Sequence, residues 1–177
     1  MKYLKKYKVY ESNQFFKTYE YIKNWLDDMD IDNYTINDDL TIDVDGDVDL
    51  NNKKLEKIPV KFKSIGGYFD CGSNQLTSLK GSPDSVGKDF YCRDNQLTSL
   101  EGCPESVGGS FYCDHNPIEE IYSLFGNKEC IKWLNEYNVI KGDKIDLEGF
   151  KDVIYIMDME HTFDYKKLYK LKNYKVI

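Results

Sequence analysis

The hexapeptide NQLTSL occupies residues 74–79 and again residues 95–100, and the copy belongs to a longer correspondence. Asn74 and Asn95, Leu76 and Leu97, and Cys71 and Cys92 all stand 21 positions apart. Setting 66–86 (GGYFDCGSNQLTSLKGSPDSV) over 87–107 (GKDFYCRDNQLTSLEGCPESV) and over 108–121 (GGSFYCDHNPIEEI) keeps Gly, Phe, Cys, Asn and two aliphatic columns in register. Residues 45–65 (DGDVDLNNKKLEKIPVKFKSI) fit the frame more loosely, with Val48 and Leu50 in the Phe and Cys columns and Leu55 and Ile58 in the leucine columns. A degenerate opener, two clear repeats and a truncated closer describe a solenoid, because a fixed period near 20 residues makes each unit one turn of a stack.

Within DFYCRDN, Phe90 and Cys92 alternate with Asp89, Tyr91 and Arg93. A period of two turns the first pair inward and the other three outward. Each coil is therefore expected to contribute one short strand and then turn, with Leu97 and Leu100 filling its far side. A single coil cannot bury both rows, so neighbours must stack and each end of the stack needs a cap.

The flanks supply caps. Residues 13–29 (NQFFKTYEYIKNWLDDM) place Phe15, Phe16, Tyr19, Ile22, Trp25, Leu26 and Met29 at helical spacing, with Ser12 as N-cap. YTINDDLTIDVDGDVDL then alternates apolar and polar residues around Asn-Asp-Asp and Asp-Gly turns, which predicts a hairpin leading into the first coil. After the repeats, IEEIYSLF, KECIKWLNEYNVI and LEGFKDVIYIMDM read as three short helices with YKKLYKL as a candidate fourth, and the basic tail ends as a solvated helix and strand. They should bury Ile121, Leu124, Phe125, Ile131, Trp133 or Leu134, Phe150, Val153, Ile154 and Met157. The expected fold class is α+β: a tail and capping helix over 1–33, hairpin and coils over 34–121, and a helical cap over 122–177.

The pattern xFxCxxNxLTSLxGxPxSVG resembles a short leucine-rich repeat of roughly 20 to 22 residues, the type found in bacterial effector proteins, with Phe and Cys where that family has Leu. The resemblance implies that Asn74, Asn95 and Asn116 bond backbone groups of the turn and form a ladder between coils. Lys53 holds the matching place in the first coil, so the ladder should start at Asn74. The fuller wording CxxNQLTSLEGxPxxVGGxFxC is also similar to small repeat proteins of large tailed bacteriophages, a likeness that extends to YTINDDLTIDVDGDVDL and implies a phage origin. The absence of alanine, a single arginine (Arg93) and the abundance of Lys, Asn, Asp, Ile and Tyr suit an AT-rich genome of that kind.

Several function classes lose support on composition. No apolar run approaches the roughly 18 residues of a membrane span, and MKYLKKYKVYES has charge but no uninterrupted apolar stretch, unlike a secretory signal. The chain is expected in the cytoplasm, where its 5 cysteines stay thiols. Cys71, Cys92 and Cys113 fall on the inward side of the strand and read as core packing, because zinc sites want paired C-x-x-C-like ligands and often His. A formal charge of −7, with 31 acidic against 24 basic residues, argues against binding nucleic acid through its phosphates. The acid-rich DVDGDVD is not an EF-hand loop: with Gly46 sixth, Thr41 and Asn52 would stand where Asp and Glu are needed. Neither His115 nor His161 has a Ser or Cys partner that spacing can place beside it. Gly66-Gly67 and Gly108-Gly109 lack the Lys-Ser/Thr of a phosphate loop. No catalytic residue, cofactor or metal is expected.

The surface remains. Successive coils turn outward Asp47, Asp49 and Asn51; Tyr68, Asp70 and Gly72; Asp89, Tyr91 and Arg93; and Ser110, Tyr112 and Asp114. Tyrosine offers a large area, few rotors and one polar tip, as recognition surfaces require. Tyr68, Asp70, Asp89, Tyr91, Arg93, Tyr112 and Asp114 are therefore the expected binding residues of a non-catalytic module that takes a host or phage protein. Two alternatives stand beside it. One is a cargo of the virion interior: MKYLKKYKVYES resembles the N-terminal targeting peptides of internal phage proteins, and Val9-Tyr10-Glu11 is similar to a prohead-protease site. The other is an acidic inhibitor of a host defence enzyme that mimics nucleic acid.

Overall fold

A repeat of 21 residues crosses the molecule twice before it returns to its starting point. In the computed structural model, which describes residues 17–125, 130–137, 139–141 and 143–177, each coil accordingly lays down two short strands. The proposed N-cap Ser12, Phe15, Phe16 and the targeting segment lie outside the described residues. A helix over 17–28 (α1) buries Ile22 and Leu26, half-buries Trp25 and Met29, and sets Trp25 edge-on to Phe62 at 6.3 Å. The expected hairpin follows, β1 (Tyr34–Ile36) pairing antiparallel with β2 (Thr41–Val44).

From there the strands run parallel. One sheet continues the hairpin through β4 (Lys61–Ile65), β6 (Ser85–Val86) and β8 (Ser106–Val107), in the order β1-β2-β4-β6-β8. The other stacks β3 (Val48–Asp49), β5 (Phe69–Asp70), β7 (Phe90–Tyr91) and β9 (Phe111–Tyr112). Their registers, Val48↔Phe69↔Phe90↔Phe111 and Ser64↔Ser85↔Ser106, follow the 21-residue period. The reading of one strand per coil is thus corrected to two. The missed strand is the Ser-Val pair, too short for alternation to reveal. Between the sheets the coils come close: a Cβ on Gly87 would overlap the carbonyl oxygen of Gly66, and one on Gly108 that of Gly87. From the second coil on, only glycine fits that column.

Phe69, Phe90 and Phe111 stack at 5.7 and 5.2 Å between ring centres. Beside them Cys71, Cys92 and Cys113 are buried in line, and Leu76, Leu97 and Ile118, then Leu79, Leu100 and Ile121, fill the far side. The turn between is built on residues in the left-handed region, Asn52, Ser73, Asp94 and His115, with φ of 55°, 53°, 54° and 56°. Asn, Asp and His tolerate that region better than most side chains. Next to each of the last three stands a ladder asparagine, all buried. Asn95 Nδ2 donates to the carbonyls of Cys92 and Arg93 in its own coil (3.1 and 3.2 Å) and of Cys71 in the preceding one (3.0 Å), while its Oδ1 accepts from Leu76 N–H (2.9 Å). Asn74 and Asn116 repeat the pattern, and Asn74 reaches back to the Leu50 carbonyl of the first coil (2.8 Å).

The C-terminal cap contains α2 (Glu119–Phe125), α3 (Cys130–Glu136), α4 (Leu147–Ile156) and a 3-10 helix over Tyr165–Lys170. Ile121, Phe125, Leu134, Phe150, Val153 and Ile154 are buried, with Leu124, Trp133 and Met157 half-buried; the side chain of Ile131 lies outside the description. The cap also carries a small sheet of β10 (Ile140–Lys141), β11 (Lys144–Ile145) and β12 (Lys175–Val176), of which only the last strand was expected.

Replacing Asn95 by Ala leaves the buried Leu76 N–H unpaired and takes one of their donors from the Cys71, Cys92 and Arg93 carbonyls, a loss of about 1–3 kcal/mol. Thermal melts should show Asn95→Ala clearly below wild type; an unchanged midpoint contradicts the ladder.

Candidate binding face

The outward side of the β3-β5-β7-β9 sheet collects every residue expected to bind. Tyr68, Asp70, Asp89 and Tyr91 are half-buried, and Arg93, Tyr112 and Asp114 are exposed. Pairing of Asp49, Asp70, Tyr91 and Tyr112 across the strands forms the central column. Tyr91 and Tyr112 lie face to face at 4.8 Å with 3° between their planes, and Tyr68 meets Tyr91 edge-on at 6.3 Å. The Arg93 guanidinium stands 5.7 Å from the Tyr91 ring centre, within range of a cation–π contact. Gly72 belongs to the same surface but is covered, because the Arg93 stem, Asn51 and Asp70 close over it.

The carboxylates on this face hold backbone. Asp89 Oδ1 accepts from Ser110 N–H of the next coil (2.6 Å) and its Oδ2 from the Tyr91 hydroxyl (2.9 Å). Asp47 does the same one pair of coils earlier, accepting from Tyr68 N–H (2.9 Å). Asp49 and Asp70 accept from the N–H groups of Asn51 and Gly72 within their own turns. These bonds hold the Asp89 carboxyl below the ordinary carboxylate range, Ser110 N–H first and Tyr91 second. The same Asp89 bond raises the Tyr91 phenol. Burial, and then the charges of Asp49, Asp47 and Asp70, raise Tyr68.

Sequence reasoning missed one pair. His115 Nδ1 lies 2.9 Å from Asp94 Oδ1, both exposed, because positions 94 and 115 share a column and stack directly. The 21-residue spacing was the signal that could have found it. Among the described residues no three His, Cys, Asp or Glu side chains gather as a metal site would require. All five cysteines are free; burial pushes Cys71 and Cys92 far up and Cys130 to about 12, so these thiols are poor nucleophiles at neutral pH. A shallow groove on the turn side passes Lys54, Glu56, Gln75, Thr77 and Gln96, whose long polar side chains offer no rigid anchor.

No protein-family model, curated protein or solved structure matches the chain. The face must be read from its own geometry.

Two measurements check that geometry. Thiol reagents should modify Cys71, Cys92 and Cys113 slowly in the native protein and at once after denaturation; fast native labelling of all three overturns the register. In a 13C-NMR titration of the Tyr91 ring, Asp89→Asn should lower the ionisation midpoint toward the ordinary tyrosine value. An unchanged midpoint removes the Asp89–Tyr91 bond from the solution structure.

Proposed function

We propose that the chain is a non-catalytic binding module that takes a protein partner on the strand face. The observation that carries this reading is the Tyr68–Tyr91–Tyr112 cluster with Arg93 laid against it. These side chains stand outside the core, Tyr91 and Tyr112 on β7 and β9 and Tyr68 and Arg93 beside the ends of β5 and β7, and Tyr112 keeps 36% of its surface exposed. Binding energy usually concentrates in a few central aromatic and arginine anchors. The surrounding Asp47, Asp49, Asp70 and Asp114 make the face acidic, so its occupant should carry lysine or arginine beside an apolar or aromatic patch.

The likeness of the NQLTSL repeats to leucine-rich repeats and to phage repeat proteins supports a phage-encoded module acting on a host or phage protein. The site of action would be the cytoplasm; among the described residues no helix is long and apolar enough to cross a membrane.

The test is affinity capture from bacterial lysate with wild type and with the triple variant Tyr91→Ala/Arg93→Ala/Tyr112→Ala. Each anchor should contribute about 1–3 kcal/mol of affinity, so the triple variant should lose its partner while melting like wild type. Phe90→Ala should do the reverse to stability, lowering it by about 3–5 kcal/mol through an internal cavity. A partner retained at full strength by the triple variant places the binding site elsewhere.

A further inference from the structure

Two segments, one at each end of the stack, carry charged side chains of one sign only. Residues 24–50 contain ten aspartates and no lysine or arginine. They form the last turn of α1, the β1–β2 hairpin and β3, so they make up the N-terminal end, where β1 and β3 are the edge strands of their sheets. Of these ten side chains Asp43 is half-buried and the rest are exposed. Among the described residues only Asp47 has a cation in ion-pair contact, Lys88 Nζ at 3.6 Å. Asp27 and Asp28 stand in the final turn of α1, where the helix dipole disfavours anions. Helix stability does not account for them.

The cap at the opposite end carries a segment of the opposite sign. Residues 165–177 contain five lysines and no acid. With three residues per turn, the 3-10 helix points Tyr165 and Leu168 inward and leaves two outward rows, Lys166-Tyr169 and Lys167-Lys170, with exposed Lys172 beyond the extended Leu171. Tyr169 is 67% exposed between the lysines. Only Lys175 of the five forms an ion pair with a described residue, Asp143 at 3.5 Å. The segment is fixed at the end of the stack: Glu120 accepts from the N–H groups of Lys172 and Asn173, and the Tyr174 hydroxyl donates to the Thr98 carbonyl at 2.8 Å.

We infer that a second copy of the chain covers these ends, the lysine rows of one molecule docking on the aspartate-rich N-terminal end of the next. Of the ten aspartates only Asp47 and Asp49 also border the strand face; its tyrosines and Arg93 lie along the side of the stack and are left open, so this association is separate from partner binding there. The two contacting surfaces differ, which makes the contact heterologous. Such a contact closes into a ring or runs on as an open chain, according to the rotation between neighbours.

Sedimentation velocity over a concentration series tests this. At about 0.01 M salt, where the Debye length is roughly 30 Å, the apparent mass should climb above the 20.8 kDa of one chain as concentration rises. At about 1 M salt, with a Debye length of roughly 3 Å, it should return to one chain. Two charge-reversed variants make the assignment specific: Lys166→Glu/Lys167→Glu/Lys170→Glu has two acidic ends, and Asp27→Lys/Asp28→Lys/Asp30→Lys/Asp32→Lys/Asp38→Lys/Asp45→Lys, with six lysines against four remaining aspartates over 24–50, has two basic ones. Each alone should sediment as a monomer, and an equimolar mixture should associate again, which unfolded variants would not do. Wild type that stays monomeric at low salt overturns the proposal and leaves the acidic end to the lysines at positions 2–8 of the same chain or to another basic protein. A lysine-reversed variant that associates like wild type overturns it too. Neither result touches the strand-face reading, which stands or falls on the capture experiment.

Discussion

Each ladder asparagine serves two coils at once. Its amide nitrogen reaches carbonyls of its own turn and one of the preceding coil, and its oxygen takes an N–H of that preceding coil. A turn entered through a left-handed residue leaves those groups without sheet partners, and buried backbone groups left unpaired are costly. The asparagine therefore determines where a coil may turn and how far it sits from its neighbour. Once that spacing is set, equivalent residues stack in columns. The phenylalanine, cysteine and leucine columns build the core, and the tyrosine column builds the candidate site.

Columns constrain one another as well. In the coils where Asp47 and Asp89 reach across to the following backbone, the residue they cover is Gly67 or Gly109, and a Cβ there would collide with the carboxylate oxygen. The intervening coil has Tyr68 in place of the aspartate, and the residue after its coil is Lys88, which folds back as the ion-pair partner of Asp47. The sequence variation GG, GK, GG at the repeat starts is thus the imprint of an alternating contact on the outer surface. Degeneracy in a repeat can mark where the surface has been shaped, while the core columns stay uniform.

That distinction also explains what could be read from the chain without coordinates. The period and the Phe-x-Cys alternation located the inward residues and the outward side of all seven face residues, because stacked equivalents share an environment, and the resemblance to leucine-rich repeats implied the asparagine ladder. The second sheet escaped, since a two-residue strand such as Ser85–Val86 has no periodicity to detect. The hairpin of β10 and β11 in the cap escaped for the same reason. Side-chain contacts within the face were beyond reach: that Asp89 bonds Tyr91 and Arg93 leans on the Tyr91 ring depends on rotamers, which spacing does not determine.

The bonding of Asp89 ties the face to the scaffold. Its carboxyl is held below the ordinary range, so the folded state binds that proton less readily than the unfolded chain does. By linkage, its stabilising contribution is fully present above the unfolded carboxylate value of about 3.9 and is lost as pH falls through the lower folded value. Throughout the neutral range the same charge holds Ser110 N–H on one side and the Tyr91 hydroxyl on the other. Tyr91 is thereby fixed before any partner arrives, and Tyr112 is fixed against it by ring stacking. A side chain already immobilised loses little conformational entropy on binding, where a free one would lose about 0.5–1.5 kcal/mol. Asp89 therefore ties Tyr91 to the coil backbone, and under the proposed binding role the neighbouring acids would set the sign of the charge a partner brings.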